Sequence, residues 1–311
     1  MSDPLASWND GAAKASIVDF VERVSTVGGR DYVPPAARIA TFDNDGTLWS
    51  EQPSYFQVAF ALDQVKALAP QNPEWQDQEP FKSALAGDVA GVFRGGVPGL
   101  LKIVIATQSG MTTDAFEQVA RDWLATARHP KTGRLYTEMV FQPMLELLAY
   151  LRANEFKTFI VSGGGIEFMR AFAEVTYGVP PEQVIGSSGG LKFEMRDAPV
   201  LIKLGDTILI DDNVEKPCAI QSHIGRRPIA AFGNSDGDLE MLQWATAGKG
   251  PSFALIVHHT DGDREWEYER SAAGVLDKAL VEAKARGWTV ADMKNDWRRV
   301  FSFEREVGAS S

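Results

Sequence analysis

An α/β fold is predicted by this sequence, with a doubly wound, mostly parallel sheet and a helical segment inserted into it. Three observations point there. Short apolar runs such as "RIATF", "KTFIVSGGG", "QVIGSS", "PIAAF" and "FALIV" are bounded by polar and glycine-bearing stretches, the pattern of strands buried on both faces. Helix-period segments, "PMLELLAYLRAN", "IEFMRAFAEVTYG", "EKPCAIQSHIG" and "DLEMLQWATAG", alternate with those runs, as they do in βαβ crossovers. Between the first strand and the rest, residues 54–136 carry helical periodicity and little resembling a strand ladder.

In chain order, "AKASIVDFVERVSTVGG" places Ile17, Phe20, Val21 and Val24 on one helical face and stops at a glycine pair. "VPPAA" breaks the chain before "RIATF". The inserted segment holds "FQVAFALDQVKALA" and "TTDAFEQVARDWLATAR", in which Phe116, Val119, Ala120, Trp123 and Leu124 follow helical spacing. "APQNPEWQDQEP" and "RGGVPG" read as loops or hinges between helices. The expected division is a core domain of residues 1–53 and 137–311 and a helical cap of residues 54–136. Farther on, "GLKFEMRDAPVLIK" reads as a β-excursion leading through a further strand, "TILIDDN", into a helix. After "FALIV", through "DREWEYERSAAG", the chain reads as helix plus an aromatic tail; its Trp266, Trp288 and Trp297 favour packing over ligand stacking. With parallel strands and right-handed crossovers, functional residues are expected at the strands' carboxyl ends.

The chain's 311 residues, 44% hydrophobic and 23% charged, suffice for one large domain or a core carrying an insertion. A formal charge of -11 argues against nucleic acid or an anionic membrane as partner, so an anionic substrate must be held by local cations. The single cysteine, Cys218, excludes an internal disulfide and a cysteine-based zinc site, and reads as a small buried filler. No apolar run approaches the ~18 residues a membrane helix needs. The start "MSDPLASWND" lacks a basic region and an apolar signal core, so a soluble, cytoplasmic protein is expected, a processed exported one being equally compatible.

Four polar motifs follow apolar runs: "DND" at Asp43, "SGGG" at Ser162, "DDNVEK" ending at Lys216, and "GNSDGD" at Gly233. Strand ends converge in a doubly wound sheet, and together these supply carboxylates, a hydroxyl, glycine amides and a lysine. That inventory suits Mg²⁺ and a phosphoryl group. Asp43 is placed to attack phosphorus, and Asp45 to protonate the leaving oxygen and then deprotonate water, with its main-chain carbonyl toward the metal. Ser162 with Gly163 and Gly164 offers a hydroxyl and close N–H donors to phosphate oxygens. Lys216 brings a compact positive charge to a transfer governed by electrostatics.

At these residues the sequence resembles the haloacid dehalogenase-like (HAD) superfamily and, within it, the phosphoserine phosphatase-like branch. The first motif, Asp-x-Asp-Gly-Thr, stands as Asp43-Asn44-Asp45-Gly46-Thr47, the second as Ser162 and the third as Lys216. The resemblance spans about Arg38 to Ala247 and implies a Rossmann-like core, Mg²⁺, an aspartate nucleophile and an insertion after the first motif. Glu51 resembles the acid that this branch sets toward a substrate amine. The fourth motif usually reads Gly-Asp-x-x-x-Asp; here Asn234 takes the first Asp's place, and an amide oxygen ligates Mg²⁺ without bringing charge. Asn234, Asp236 and Asp238 are thus candidates for the metal shell alongside Asp43 and Asp45, with Asp238 favoured as the partner of Lys216 and Asp211 and Asp212 as outer groups.

The expected function is a Mg²⁺-dependent phosphomonoester hydrolase acting on a small soluble phosphate ester, with Thr47, Glu51 and Arg94 as further substrate contacts. Asp45 argues against dehalogenases and transport ATPases, as the family pattern implies. A phosphomutase on the same site, or a non-catalytic phosphate-binding regulatory protein, are the alternatives. Adjacent His258 and His259 would face opposite sides of a strand and do not form one metal site.

Overall fold

The computed structural model describes residues 3–270 and 274–304, so Ser271 to Ala273 of the "DREWEYERSAAG" stretch lie outside it. A seven-stranded sheet of order β4-β3-β2-β1-β5-β6-β7 forms the centre. Helix α1 (Ala12–Ser25) precedes β1 (Ile39–Phe42). Then come α2 (Phe56–Leu68), α3 (Phe81–Leu85), α4 (Val89–Arg94), α5 (Gly96–Gln108) and α6 (Thr113–Thr126). The chain returns through α7 (Gln142–Ala153) to β2 (Lys157–Gly165), α8 (Ile166–Arg170) and α9 (Ala173–Tyr177). A hairpin of β3 (Val184–Met195) and β4 (Pro199–Leu209) leads into α10 (Glu215–Ile224). Strand β5 (Ala230–Gly233), α11 (Leu239–Thr246), β6 (Phe253–His258), α12 (Lys278–Arg286), β7 (Thr289–Asp292) and α13 (Met293–Asp296) complete it.

Alternation along the strands makes the sheet doubly covered. Phe42, Ile160, Phe232 and Leu255 turn to one face, where Phe20 and Val24 of α1 and Leu147 and Leu151 of α7 cover them. Val161, Ile185, Ala231 and Ile256 turn to the other, against Ile220 of α10, Leu242 of α11 and Ala283 of α12. Helices α2 to α5 enclose a separate apolar cluster with Val58, Val65, Trp75, Val92 and Ile103. Helix α6 instead joins the main core through Phe116, Ala120 and Leu124.

Several expectations are corrected. The run "TILIDDN" is not a strand of its own: its first residues end β4, which pairs antiparallel with β3. Strand β3 pairs with β2 only from Val184 to Ser187, and its remainder rises past the sheet's carboxyl edge. Strand β4 brings the chain back, with Leu209 opposite Ser188, so Asp211 and Asp212 still arrive at that edge. The "RGGVPG" stretch is not wholly a loop. Helix α5 starts at Gly96 and accommodates Pro98 in its first turn, where the missing N–H leaves no helical bond unmade. The tail adds a parallel strand, β7, and then closes the core: Trp297 meets Trp8 edge-on at 5.8 Å and Phe141 at 5.3 Å. Cys218 is exposed, because its place on α10 faces solvent while Ala219 and Ile220 face the sheet. No helix among the described residues is long and apolar enough to cross a membrane.

Candidate active site

The first motif leaves β1 as a tight loop. Asp43 N–H still donates to the Phe232 carbonyl at 2.9 Å, and Gly46 then turns at φ +74. A Cβ at Gly46 would come within 2.0 Å of Asn234 Nδ2, so both the backbone angle and the close approach demand glycine. Side chains from remote segments fix this loop. Trp49 Nε1 donates to Asp45 Oδ1 at 2.8 Å, and the Tyr177 hydroxyl donates to Asn44 Oδ1 at 3.0 Å. His259 Nε2 bonds the Gly46 carbonyl at 2.8 Å, while its Nδ1 faces Glu265 at 3.0 Å. Burial alone would lower the His259 pKa, but Glu265 and Glu51 outweigh it and the net shift is upward, which favours the imidazolium, the form that can donate to both of these acceptors. Glu265 also accepts from the Ser50 hydroxyl and the Trp266 N–H.

Lys216 enters from the first turn of α10 and spends its ammonium on three oxygens: Asp43 Oδ1 at 2.7 Å, Asp238 Oδ1 at 2.7 Å and the Val161 carbonyl at 3.1 Å. Burial works against its charge, but Asp238 and Asp43 together hold its pKa above the ordinary lysine range. For Asp43 burial is the largest influence and raises the pKa, with Asp238 adding to it and Lys216 opposing. Burial likewise raises Asp45 against the Trp49 bond. Asp238 is fully engaged, since its Oδ2 accepts from the Asn234 and Ser235 N–H groups at 3.0 and 3.1 Å. Asp236 turns away and accepts from the Asp277, Lys278 and Ala279 N–H groups at the start of α12.

Ser162 is buried near the end of β2, and its Oγ accepts from the Gly164 N–H at 3.1 Å. The next amide, of Gly165, is taken by Gln57 Oε1 at 2.6 Å, which ties the first turn of α2 to the glycine run. Asp43, Asp45, Ser162, Gly163, Gly164, Lys216 and Asp212 open onto one cavity of about 490 Å³. Glu51 also borders it. Its Oε1 accepts from the Tyr268 hydroxyl at 2.7 Å and Asn234 Nδ2 at 3.3 Å, and burial raises its pKa to about 7. Thr47 lies buried under the loop and donates to Asn234 Oδ1 at 3.1 Å, away from the cavity. Arg94 is also outside: its guanidinium folds back to Asp88, the residue capping α4, at 2.9 Å. That corrects its expected place as a substrate anchor. Asp211 is wholly buried with neither oxygen hydrogen-bonded among the described residues, and burial raises its pKa to about 7.

The profile of the haloacid dehalogenase-like hydrolase (HAD) family matches residues 40–243. The chain belongs to this family. No curated protein sequence matches it. Among solved structures, a conserved functionally unknown protein from Anaerococcus prevotii aligns with TM-score 0.58 and 14% identity over 94% of this chain and 94% of its own. A protein of unknown function from Bordetella pertussis gives TM-score 0.49 and 14% identity over 82% of this chain and 98% of its own. A phosphoserine phosphohydrolase-like protein from Francisella tularensis gives 0.44 and 15% over 83% and 95%. The first of these extends the shared fold beyond the matched segment to nearly the whole chain.

Among the described residues no three His, Cys, Asp or Glu side chains gather at metal-binding distance. The donors near the loop are nevertheless hard oxygens: the Asp43 and Asp45 carboxylates, main-chain carbonyls and the Asn234 amide oxygen. Buried acids outnumber the one lysine between them, which favours a further cation, and an all-oxygen set suits Mg²⁺. Asp43 and Asp45 therefore fit such an ion, whereas the Asn234 amide oxygen is turned to Thr47 and would have to leave it to join them. Sequence reasoning missed Trp49, Gln57, Tyr177 and the His259–Glu265 pair. Only Trp49 left a readable signal, as a donor on the next turn of the "DGTLWS" loop.

Proposed function

We propose that this HAD hydrolase is a Mg²⁺-dependent phosphatase that cleaves a small phosphomonoester through an aspartyl-phosphate on Asp43. The observation that carries the reading is the buried Lys216 bridging Asp43 and Asp238, beside Asp45 and Ser162 on the same cavity. An Asp43 oxygen attacks phosphorus, and the ester oxygen departs with a proton from Asp45. Burial favours the protonated Asp45 that this step requires, and the Trp49 indole holds the carboxyl in place. Asp45 then takes a proton from water, whose oxygen attacks the phosphoryl-Asp43 and releases phosphate. Lys216, bonded to Asp43, supplies positive charge beside the phosphoryl group and the Ser162 hydroxyl donates to its oxygens, in a transfer governed by positioning and charge. Held by Asp43 and Asp45, Mg²⁺ would offset repulsion between carboxylate and phosphate. Helices in residues 54–136 serve as the cap that excludes bulk water and selects the ester.

Hydrolysis of p-nitrophenyl phosphate with and without Mg²⁺ tests this. Activity should require the ion, and Asp43→Asn should lower kcat by about 10⁴-fold or more while the circular dichroism spectrum stays native. Mg²⁺-dependent turnover retained in that variant would reject the nucleophile. Absence of hydrolysis across a panel of phosphate esters would reject the phosphatase.

A further inference from the structure

The cavity changes character away from the loop. Beyond Asp43 and Ser162 its walls are mainly apolar, with Phe93, Leu101, Val104, Ile105, Phe116 and Phe168 contributed by α4, α5, α6 and α8 and hydroxyls from Ser109, Ser187 and Ser188 among them. At about 490 Å³ it exceeds what a phosphoryl group on a serine-sized alcohol fills, so most of its volume faces the remainder of a substrate. The cations among its described lining residues are Lys216 and Lys203, and both are committed. Lys203 pairs with Glu167 at 3.1 Å and lies over the Phe116 ring at 4.4 Å, with its side chain 8% exposed. Arg94 stays outside with Asp88. A second phosphate or a carboxylate on the substrate would therefore enter an apolar chamber without a free positive partner, at a large desolvation cost. Gln108 is also on the wall, buried, and its Nε2 has no partner among the described residues, which offers a donor to an uncharged oxygen.

We infer that the substrate is the phosphate monoester of a largely apolar alcohol considerably larger than serine and without a second anionic group, its hydrocarbon body lying along the α5–α6 wall. The inference rests on the phosphatase reading and narrows it. Primary alkyl phosphates isolate the point, because ethyl, butyl and hexyl alcohols are similar leaving groups and differ in the apolar surface buried. Each added methylene should raise kcat/KM by about fourfold until the chamber is filled. Val104→Asp, which sets a carboxylate on that wall, should flatten the series. A flat or falling wild-type series, or a higher kcat/KM for O-phosphoserine or fructose 1,6-bisphosphate than for hexyl phosphate, overturns the inference. Calorimetry with ethyl- and hexylphosphonate separates the two claims. Tighter binding of the longer phosphonate, with no ester hydrolysed in Mg²⁺, supports the ligand class while rejecting the phosphatase; equal or weaker binding rejects the ligand class even where esters are hydrolysed.

Discussion

The sheet's carboxyl edge and the wall above it are built by opposite means. At the edge, Lys216, Asp43 and Asp238 arrive from three separate segments and lock through 2.7 Å charge-assisted bonds, with side chains only 3%, 9% and 1% exposed. On the wall, α4 to α6 present rings and aliphatic groups whose attraction has no preferred direction. Reaction geometry needs the first kind of construction and ligand choice tolerates the second. Wall residues can change with modest consequence, whereas Lys216, Asp43 and Asp238 are bound to one another and to their surroundings.

The largest expected effect lies in the lysine. Lys216→Ala leaves Asp43 and Asp238 buried together without their cation, so urea denaturation should show a loss of about 3–5 kcal/mol, with turnover abolished. A loss below about 1 kcal/mol, like that of a surface pair, would erase the contrast between edge and wall.

A smaller effect follows from Trp49→Phe. The ring remains able to stack on Phe172, 4.4 Å away, but the donor to Asp45 is removed. That bond favours the charged carboxylate, so its loss should raise the Asp45 pKa and move the pH–rate profile upward by about one unit. A fixed profile would detach Asp45 from the proton transfers.

Asp211 sharpens the comparison differently, as an acid at the edge that belongs to no network. Its pKa, 3.8 ordinarily, rises to about 7 on folding. The folded state therefore binds more protons between these values, so this residue's contribution makes stability fall as pH rises through that window. Asp211→Asn should raise stability above pH 7 by about 1–2 kcal/mol, after allowance for an amide left buried, and flatten the pH dependence. Equal melting temperatures at pH 8 would show that Asp211 is solvated or paired.

Much of the edge was legible because polar motifs stand where apolar runs stop, and a doubly wound sheet brings those ends together whatever the intervening length. "FDNDGT", "VSGGG" and "GNSDGD" each carry that break in pattern. What escaped notice had another origin. His259 reaches Gly46 across 213 positions, and no local pattern encodes that contact. Helix α5, "GVPGLLKIVIATQ", is apolar on nearly every side and begins with helix breakers, so neither periodicity nor composition marked it. Strand β7 has four residues, too few for alternation to register, and Asp211 looked like an outer-shell acid because its burial is set by the tertiary fold and leaves no mark in the local sequence.

The smallest effect is expected at Arg94, which an arginine count near a phosphate site would promote to a substrate anchor. Its side chain is 69% exposed and paired with Asp88 at 2.9 Å on the outside of α4. An exposed pair of this kind contributes about 0–1 kcal/mol, and the cavity lies behind the helix, lined there by Phe93. Arg94→Ala should accordingly alter the melting temperature by no more than about 2 °C and kcat/KM by less than about twofold. A tenfold rise in KM for every ester, with kcat unchanged, would mean that the guanidinium leaves Asp88 to meet the substrate. The wall would then hold a mobile cation, and its apolar character would no longer set it apart from the edge.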